Sequence, residues 1–243
     1  VTGSRFKDVM ATKKDGSPTQ KWEDYKKELV AERIVGEQGK VDVFSTDAMK
    51  WGQMNEGIAR TEYQLRTGHR VTEEGFVQHD SMMVGVSTDG LVDETGNVEI
   101  KCLMPHNHLY NIVKQGINVD DFEVPADYKD QVQGQMWVTE RDWCDFIGYD
   151  SRMPKGLDLV VVRVLRDDDY IMMMEDRMKE FLAEVDRDMA FFMKFLPICE
   201  RLCRMCGQIF TDKLVICPNC KTNNTNVRKV LQPAEQRLVG YES

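Results

Sequence analysis

A chain of 243 residues, 42% of them hydrophobic, can bury a full core and leave material for one small satellite domain. Its net charge of −9 excludes simple coating of a nucleic-acid duplex by a basic surface, but not a protein that commits carboxylates to metal and gathers its bases in one groove. No run approaches the about 18 apolar residues that span a bilayer, no signal-peptide pattern is present, and the seven cysteines, four of them in two CxxC pairs, fit reduced thiols and a metal better than a disulfide framework; the expectation is a soluble, cytoplasmic protein without a membrane partner.

The first third reads as helix. Thr2 and Ser4 can cap a helix over 5 to 11, the polar 13 to 18 segment is a basic loop, and 22 to 34 is an amphipathic helix burying Tyr25, Leu29, Val30 and Ile34. A third helix, 45 to 67, carries Met49, Trp51, Ile58, Ala59, Tyr63 and Leu65, with one acid, Glu56, at its midpoint. From Val71 the period shifts towards two. Strands are expected at 70 to 78, 82 to 86, 90 to 93 and 97 to 103, helices at 106 to 115 and 127 to 138, and strands at 143 to 149 and 158 to 165. The last of these is a β-branched run suited to a sheet interior. One long helix, 167 to 196, has apolar residues from Ile171 to Phe192 stepping by three and four, and Pro197 ends it. The fold class is α/β, a mixed sheet wrapped by helices, with domains at 1 to 197, 198 to 232 and a tail at 233 to 243.

The chemistry concentrates between Gly85 and Lys101. Asp89 lies in a tight turn, and Glu99 and Lys101 share one side of the following strand because strand side chains alternate. Two carboxylates bind hard cations through oxygen, the Ile100 carbonyl can add another oxygen, and a lysine offsets phosphate charge. This is the equipment of a magnesium- or manganese-dependent phosphodiesterase. A surface hairpin with a Glu–Lys pair is the bland alternative. In the tail, Cys203 and Cys206, then Cys217 and Cys220, form two knuckles ten residues apart. Four thiolates at that spacing close a tetrahedral site for Zn2+, with iron as the alternative, and so short a segment folds with its ion. The ribbon's basic residues fit contact with DNA or a partner, and a purely structural ribbon is the competing reading.

The stretches VTGSRFKDVMA, MKWGQMNEGIAR, the SxDG turn at Ser87 to Gly90, EIKC at 99 to 102 and QVQGQMWVTERDWCDFIGYDSRMP from Gln131 resemble, in order and spacing, the lambda-type alkaline exonuclease family, the viral recombinase branch of the RecB-like, restriction-endonuclease-like nucleases. The resemblance covers about residues 1 to 196. It implies a restriction-endonuclease-like core in which Asp89 and Glu99 bind Mg2+, Lys101 is the catalytic lysine and Glu56 is a supporting acid. It also implies that Gln133, four residues before Trp137, places substrate phosphate. Ser4 and Ser87 match hydroxyls that hold a 5′ phosphate, Met49 an apolar wedge and Lys14 a basic loop residue beside it. The implied activity is 5′-to-3′ digestion of one strand of duplex DNA from its ends to mononucleotides. A homotrimeric ring and a single-strand annealing protein, in recombination of phage or prophage DNA, are the implied assembly and partner. Thr88 stands where the family has proline, and the family's Trp- and Arg-containing segment before VTGS either precedes Val1 or is missing with weaker phosphate capture, so hydrolysis is implied more firmly than 5′-phosphate preference. A structure- or single-strand-specific endonuclease of the same superfamily, or a non-catalytic zinc-ribbon DNA-binding protein, are the alternatives.

Overall fold

The computed structural model describes residues 1–35, 46–113, 124–194, 200–202, 209–211 and 229–230, with side chains in the stretches up to 194. The chain divides into two compact units, Val1–Val185 and Asp186–Ser243. The four tail cysteines lie outside the described residues.

A 3-10 turn, Gly3–Arg5, leads into helix α1 (Phe6–Met10), followed by α2 (Gln20–Val35) and α3 (Asp47–Thr67). The expected single helix over 5 to 11 is thus split between two helical geometries. On α2, Trp22, Tyr25 and Val30 are buried, whereas Ile34, expected on the inner face, is exposed. Thr46 caps α3 by accepting from the Met49 N–H at 3.2 Å. Gly68 ends it with φ of 78°, a left-handed conformation that costs glycine nothing. Asn55, Ala59 and Tyr63, four apart, face inward, and the apolar Met54, Ile58 and Leu65 remain exposed.

Strands β1 (Val71–Thr72), β2 (Phe76–Gln78), β3 (Gly85–Ser87), β4 (Gly90–Val92) and β5 (Gly96–Lys101) follow. The single strand expected over 70 to 78 is two strands, because β1 pairs with β4 in the main sheet while β2 pairs with β3 in a separate hairpin. The turn-forming Glu73 to Gly75 segment is where the chain changes sheet. One helical turn, α4 (Pro105–Asn107), runs into a π-helical turn, His108–Val113, and α5 (Ala126–Thr139), β6 (Trp143–Tyr149), β7 (Leu159–Leu165) and α6 (Asp168–Met193) complete the order.

The main sheet has the order β1-β4-β5-β6-β7, with β5 and β6 parallel and every other pair antiparallel. Its register places Val98, Ile100, Ile147 and Tyr149 on the α3 face, with Ala59 and Tyr63. Cys144 and Phe146 lie on the other face with Ile112, Val132 and Met136. On α6, Phe181 meets Trp22 edge-on at 4.9 Å and stacks on Tyr25 at 5.4 Å, contacts that contribute about 0.5–1.5 kcal/mol each beyond area burial. The expected seam on α6 is buried from Ile171 to Val185, and Phe192 is exposed. In the second unit three short strands, β8 (Glu200–Leu202), β9 (Ile209–Thr211) and β10 (Lys229–Val230), form an antiparallel sheet ordered β10-β8-β9. Among the described residues no helix is long and apolar enough to cross a membrane.

Gly134 sets how closely α5 approaches α1. A Cβ there would lie 2.0 Å from the ring of Phe6, which is fully buried. Gly134→Ala is therefore expected to cost about 1–3 kcal/mol of overpacking strain, read as a lower urea midpoint. An unchanged midpoint would show that the Phe6 ring has space to yield.

Candidate active site

Asp89 occupies the corner between β3 and β4, strands of different sheets, and this change of direction carries its carboxylate to the C-terminal end of β5. There Oδ2 accepts the Ile100 N–H at 2.6 Å. Glu99 and Lys101 project from β5 on the α5 face, opposite Ile100, in line with Phe146 and Gly148 of β6. The Lys101 ammonium donates to Glu99 Oε1, and its charge lies 5.0 Å from the centroid of the Tyr128 ring. Glu99 is only 1% exposed. Gln131 Nε2 donates to its Oε1 at 2.8 Å and Gln135 Nε2 to its Oε2 at 2.5 Å.

Glu56 stands on α3 one turn before Arg60. The guanidinium donates to Glu56 Oε1 at 2.8 Å, to the Asp89 carbonyl at 2.9 Å, and pairs with Glu73 at 2.5 Å. Arg60 thereby ties Glu56 to the corner that carries Asp89. Sequence reading passed over Arg60, whose signal was its i,i+4 spacing from Glu56.

Burial pushes the Asp89 carboxyl up to about 8, and the neighbouring Glu99 and Glu56 add to the rise against the Ile100 hydrogen bond and Lys101. Burial works against the charge of Lys101 too, but Glu99 and Asp89 outweigh it and hold the ammonium above the ordinary lysine value. The site thus gathers more acid groups than its single lysine can pair. Carboxylate oxygens with surplus charge are the donors hard divalent cations take. Among the described residues no cluster of three or more His, Cys, Asp and Glu side chains is arranged to hold an ion. The carboxylates that converge here are Asp89 and Glu99, while Glu56 is engaged by Arg60.

The sequence placed Gln133 here, and the structure puts it elsewhere. Its Nε2 donates to the Leu165 carbonyl at 2.9 Å and its Oε1 accepts the Asp167 N–H at 3.0 Å, so it joins α5 to the start of α6. On a helix, residues four apart share a face and residues two apart do not. Gln131 and Gln135 therefore reach Glu99 together, and Gln133 faces away. Ser4 and Ser87 are both exposed. Their segments are neighbours, since Thr2 bridges to Gly85 and Gly3 lies against Val86. Lys14 is exposed in the turn closed by the Lys13–Ser17 hydrogen bond, and Met49 is 48% exposed in the first turn of α3 rather than in the core. His79 lies over Trp137 at 5.0 Å and lines, with Phe76, Arg141 and Met172, a cleft of about 910 Å3 that holds none of Asp89, Glu99 or Lys101. Cys102 and Cys144 are buried, and burial pushes the Cys102 thiol up to about 12.

Residues 1–142 match the YqaJ-like viral recombinase domain, and the chain belongs to that family. Among individual relatives, an alkaline exonuclease from Laribacter hongkongensis, LHK-Exo, is 34% identical, covers 80% of this chain and 91% of its own, and superposes with a TM-score of 0.70; a second structure of it contains dAMP. A phage-related exonuclease from Haemophilus somnus 129PT shares the fold at a TM-score of 0.63 and 15% identity, over 79% of this chain and 96% of that one. The putative uncharacterized protein ExoD of Escherichia coli K12 is 35% identical over 68 residues, 28% of this chain and 76% of ExoD.

Because the folded-state pKa of Asp89 is raised, its contribution to stability is fully present below about pH 4, where both states are protonated, and is lost as pH rises to about 8. In EDTA, Asp89→Asn is expected to melt above the wild type by a margin that widens from pH 4 to 8 and then levels. A margin independent of pH would contradict this.

Proposed function

We propose that this chain is a Mg2+- or Mn2+-dependent exonuclease that degrades one strand of duplex DNA from the 5′ end. The observation that carries the reading is the convergence of Asp89, Glu99 and Lys101 at β5, in a chain 34% identical to an alkaline exonuclease across most of its length.

Asp89, Glu99 and the Ile100 carbonyl would hold the cations, which supply, when bound, an activated water and stabilisation of the leaving oxygen. Lys101, kept charged by its two acids, positions the attacking oxygen and offsets phosphate charge as it builds. Arg60 keeps Glu56 beside the corner that carries Asp89, where that acid can support the cation through water. Ser4 and Ser87, on adjacent segments, hold the 5′ phosphate and set which bond lies over the acids. Met49, exposed at the start of α3, and Lys14 act at the strand junction.

A ring of three chains would gather the few bases around the duplex in spite of the net −9. A single-strand annealing protein is the partner that uses the 3′ strand left behind, in recombination of phage or prophage DNA within the host cytoplasm. Cys203, Cys206, Cys217 and Cys220 bind one Zn2+ in a C-terminal ribbon.

Asp89→Ala and Lys101→Ala are expected to abolish hydrolysis while duplex binding stays within a few-fold of wild type. Magnesium-dependent digestion by either purified variant would sink the assignment. Linear 5′-phosphorylated, linear 5′-hydroxyl and closed circular DNA, compared with and without Mg2+, separate the readings: consumption of linear DNA alone supports an exonuclease, and cleavage of the circle establishes an endonuclease. The purified chain should contain one zinc per protomer, and Cys206→Ser should lose it.

A further inference from the structure

We propose that Gln135 is the positioning residue that decides which oxygen of Glu99 is presented to the cation. This rests on the metal-dependent reading of the site above. A carboxylate oxygen has about two lone-pair directions. On Glu99, Oε1 receives both the Lys101 ammonium and the Gln131 amide, so its capacity is taken. Among the described residues Oε2 receives only the Gln135 amide, at 2.5 Å, which leaves one direction open. Oε2 is therefore the oxygen left to bind a cation, and Gln135 is the group that fixes where its open side points.

Three features make Gln135 suited to this. It is 1% exposed, so water does not substitute for its amide. Its Nε2 lies between two acceptors, Glu99 Oε2 and the Ser87 carbonyl at 3.4 Å, so its NH2 must face them, whichever way the amide is turned elsewhere. Its own Oε1 is buried with no hydrogen-bond partner among the described residues. Keeping a buried acceptor unpaired is costly, and the hydrogen bond to a buried carboxylate offsets it. Gln135 also ties Glu99 to Ser87, the residue two before Asp89, so the two acids are held in one register. Gln131 differs. It shares Oε1 with Lys101, which would hold that oxygen in its absence.

The test compares wild type, Gln135→Met and Gln131→Met in full-length protein. Mn2+ affinity is read from free Mn2+ by electron paramagnetic resonance, and kcat and KM from digestion of 5′-phosphorylated linear duplex. Loss of a partner that orients a metal ligand typically costs 10–100-fold. Gln135→Met is expected to weaken Mn2+ binding and lower kcat by about that factor with KM for DNA within twofold, and Gln131→Met to cost several-fold less in both. Mn2+ affinity of Gln135→Met within twofold of wild type, a loss confined to KM, or an equal effect of Gln131→Met would overturn the proposal. Should Gln135→Met not fold, Gln135→Ala is read by the same criteria. A wild-type protein that binds Mn2+ but cuts no DNA would remove the nuclease reading alone, and Gln135 is then decided on Mn2+ affinity; a wild type that binds no Mn2+ removes both.

Discussion

Two acids, the half-buried Asp89 and the buried Glu99, are brought together at β5, and much of the surrounding structure serves to make that tolerable. An ionised carboxylate taken out of water costs several kcal/mol unless it is hydrogen-bonded or paired. The chain answers with donors from several elements: the Ile100 N–H and Lys101 ammonium of β5, the Gln131 and Gln135 amides of α5, and the Arg60 guanidinium of α3 acting through the Asp89 main chain. The compensation is incomplete. Asp89 retains a carboxyl pushed up to about 8 by burial and by Glu99, and a divalent cation is the natural complement of that surplus.

Another buried acid does the opposite work on the far face of the sheet. Asp145 accepts from both arms of Arg163 at 2.8 Å and from the Tyr63 hydroxyl at 2.6 Å, so its charge is matched within the chain. Arg163 also lies over Trp143 at 3.7 Å, and burial with Asp145 pushes the Tyr63 phenol up. Because Tyr63 belongs to α3, this bond fixes the helix against β6 and β7 and so sets the height at which Glu56 and Arg60 stand. Arg66 reinforces it by a bidentate pair with Asp158, whose carboxyl it holds down at about 2. One face of the sheet is thus electrostatically closed, and the other is left open at Glu99.

The division of α5 into two glutamine roles follows from helical geometry. Gln131 and Gln135 point to the acids, while Gln133 stitches α5 to the backbone at Leu165 and Asp167. Gly134 between them lets α5 settle onto Phe6, which brings the segment bearing Ser4 beside the hairpin bearing Ser87. Packing at one glycine therefore reaches both the acid clamp and the two serines.

By itself the sequence determined the helix of α3, the α6 seam from Ile171 to Val185, the turn at Asp89 and the shared face of Glu99 and Lys101, because each is a local matter of period, capping or alternation. It also determined the family, through motifs in fixed order. What only the tertiary structure decided is which polar groups meet: that Arg60 joins Glu56 to Asp89, that Gln131 and Gln135 rather than Gln133 clamp Glu99, and that the segment from 70 to 78 divides between two sheets. Those outcomes depend on the rotation of one helix about its axis and on strand partners distant in the chain, and spacing along a sequence carries neither.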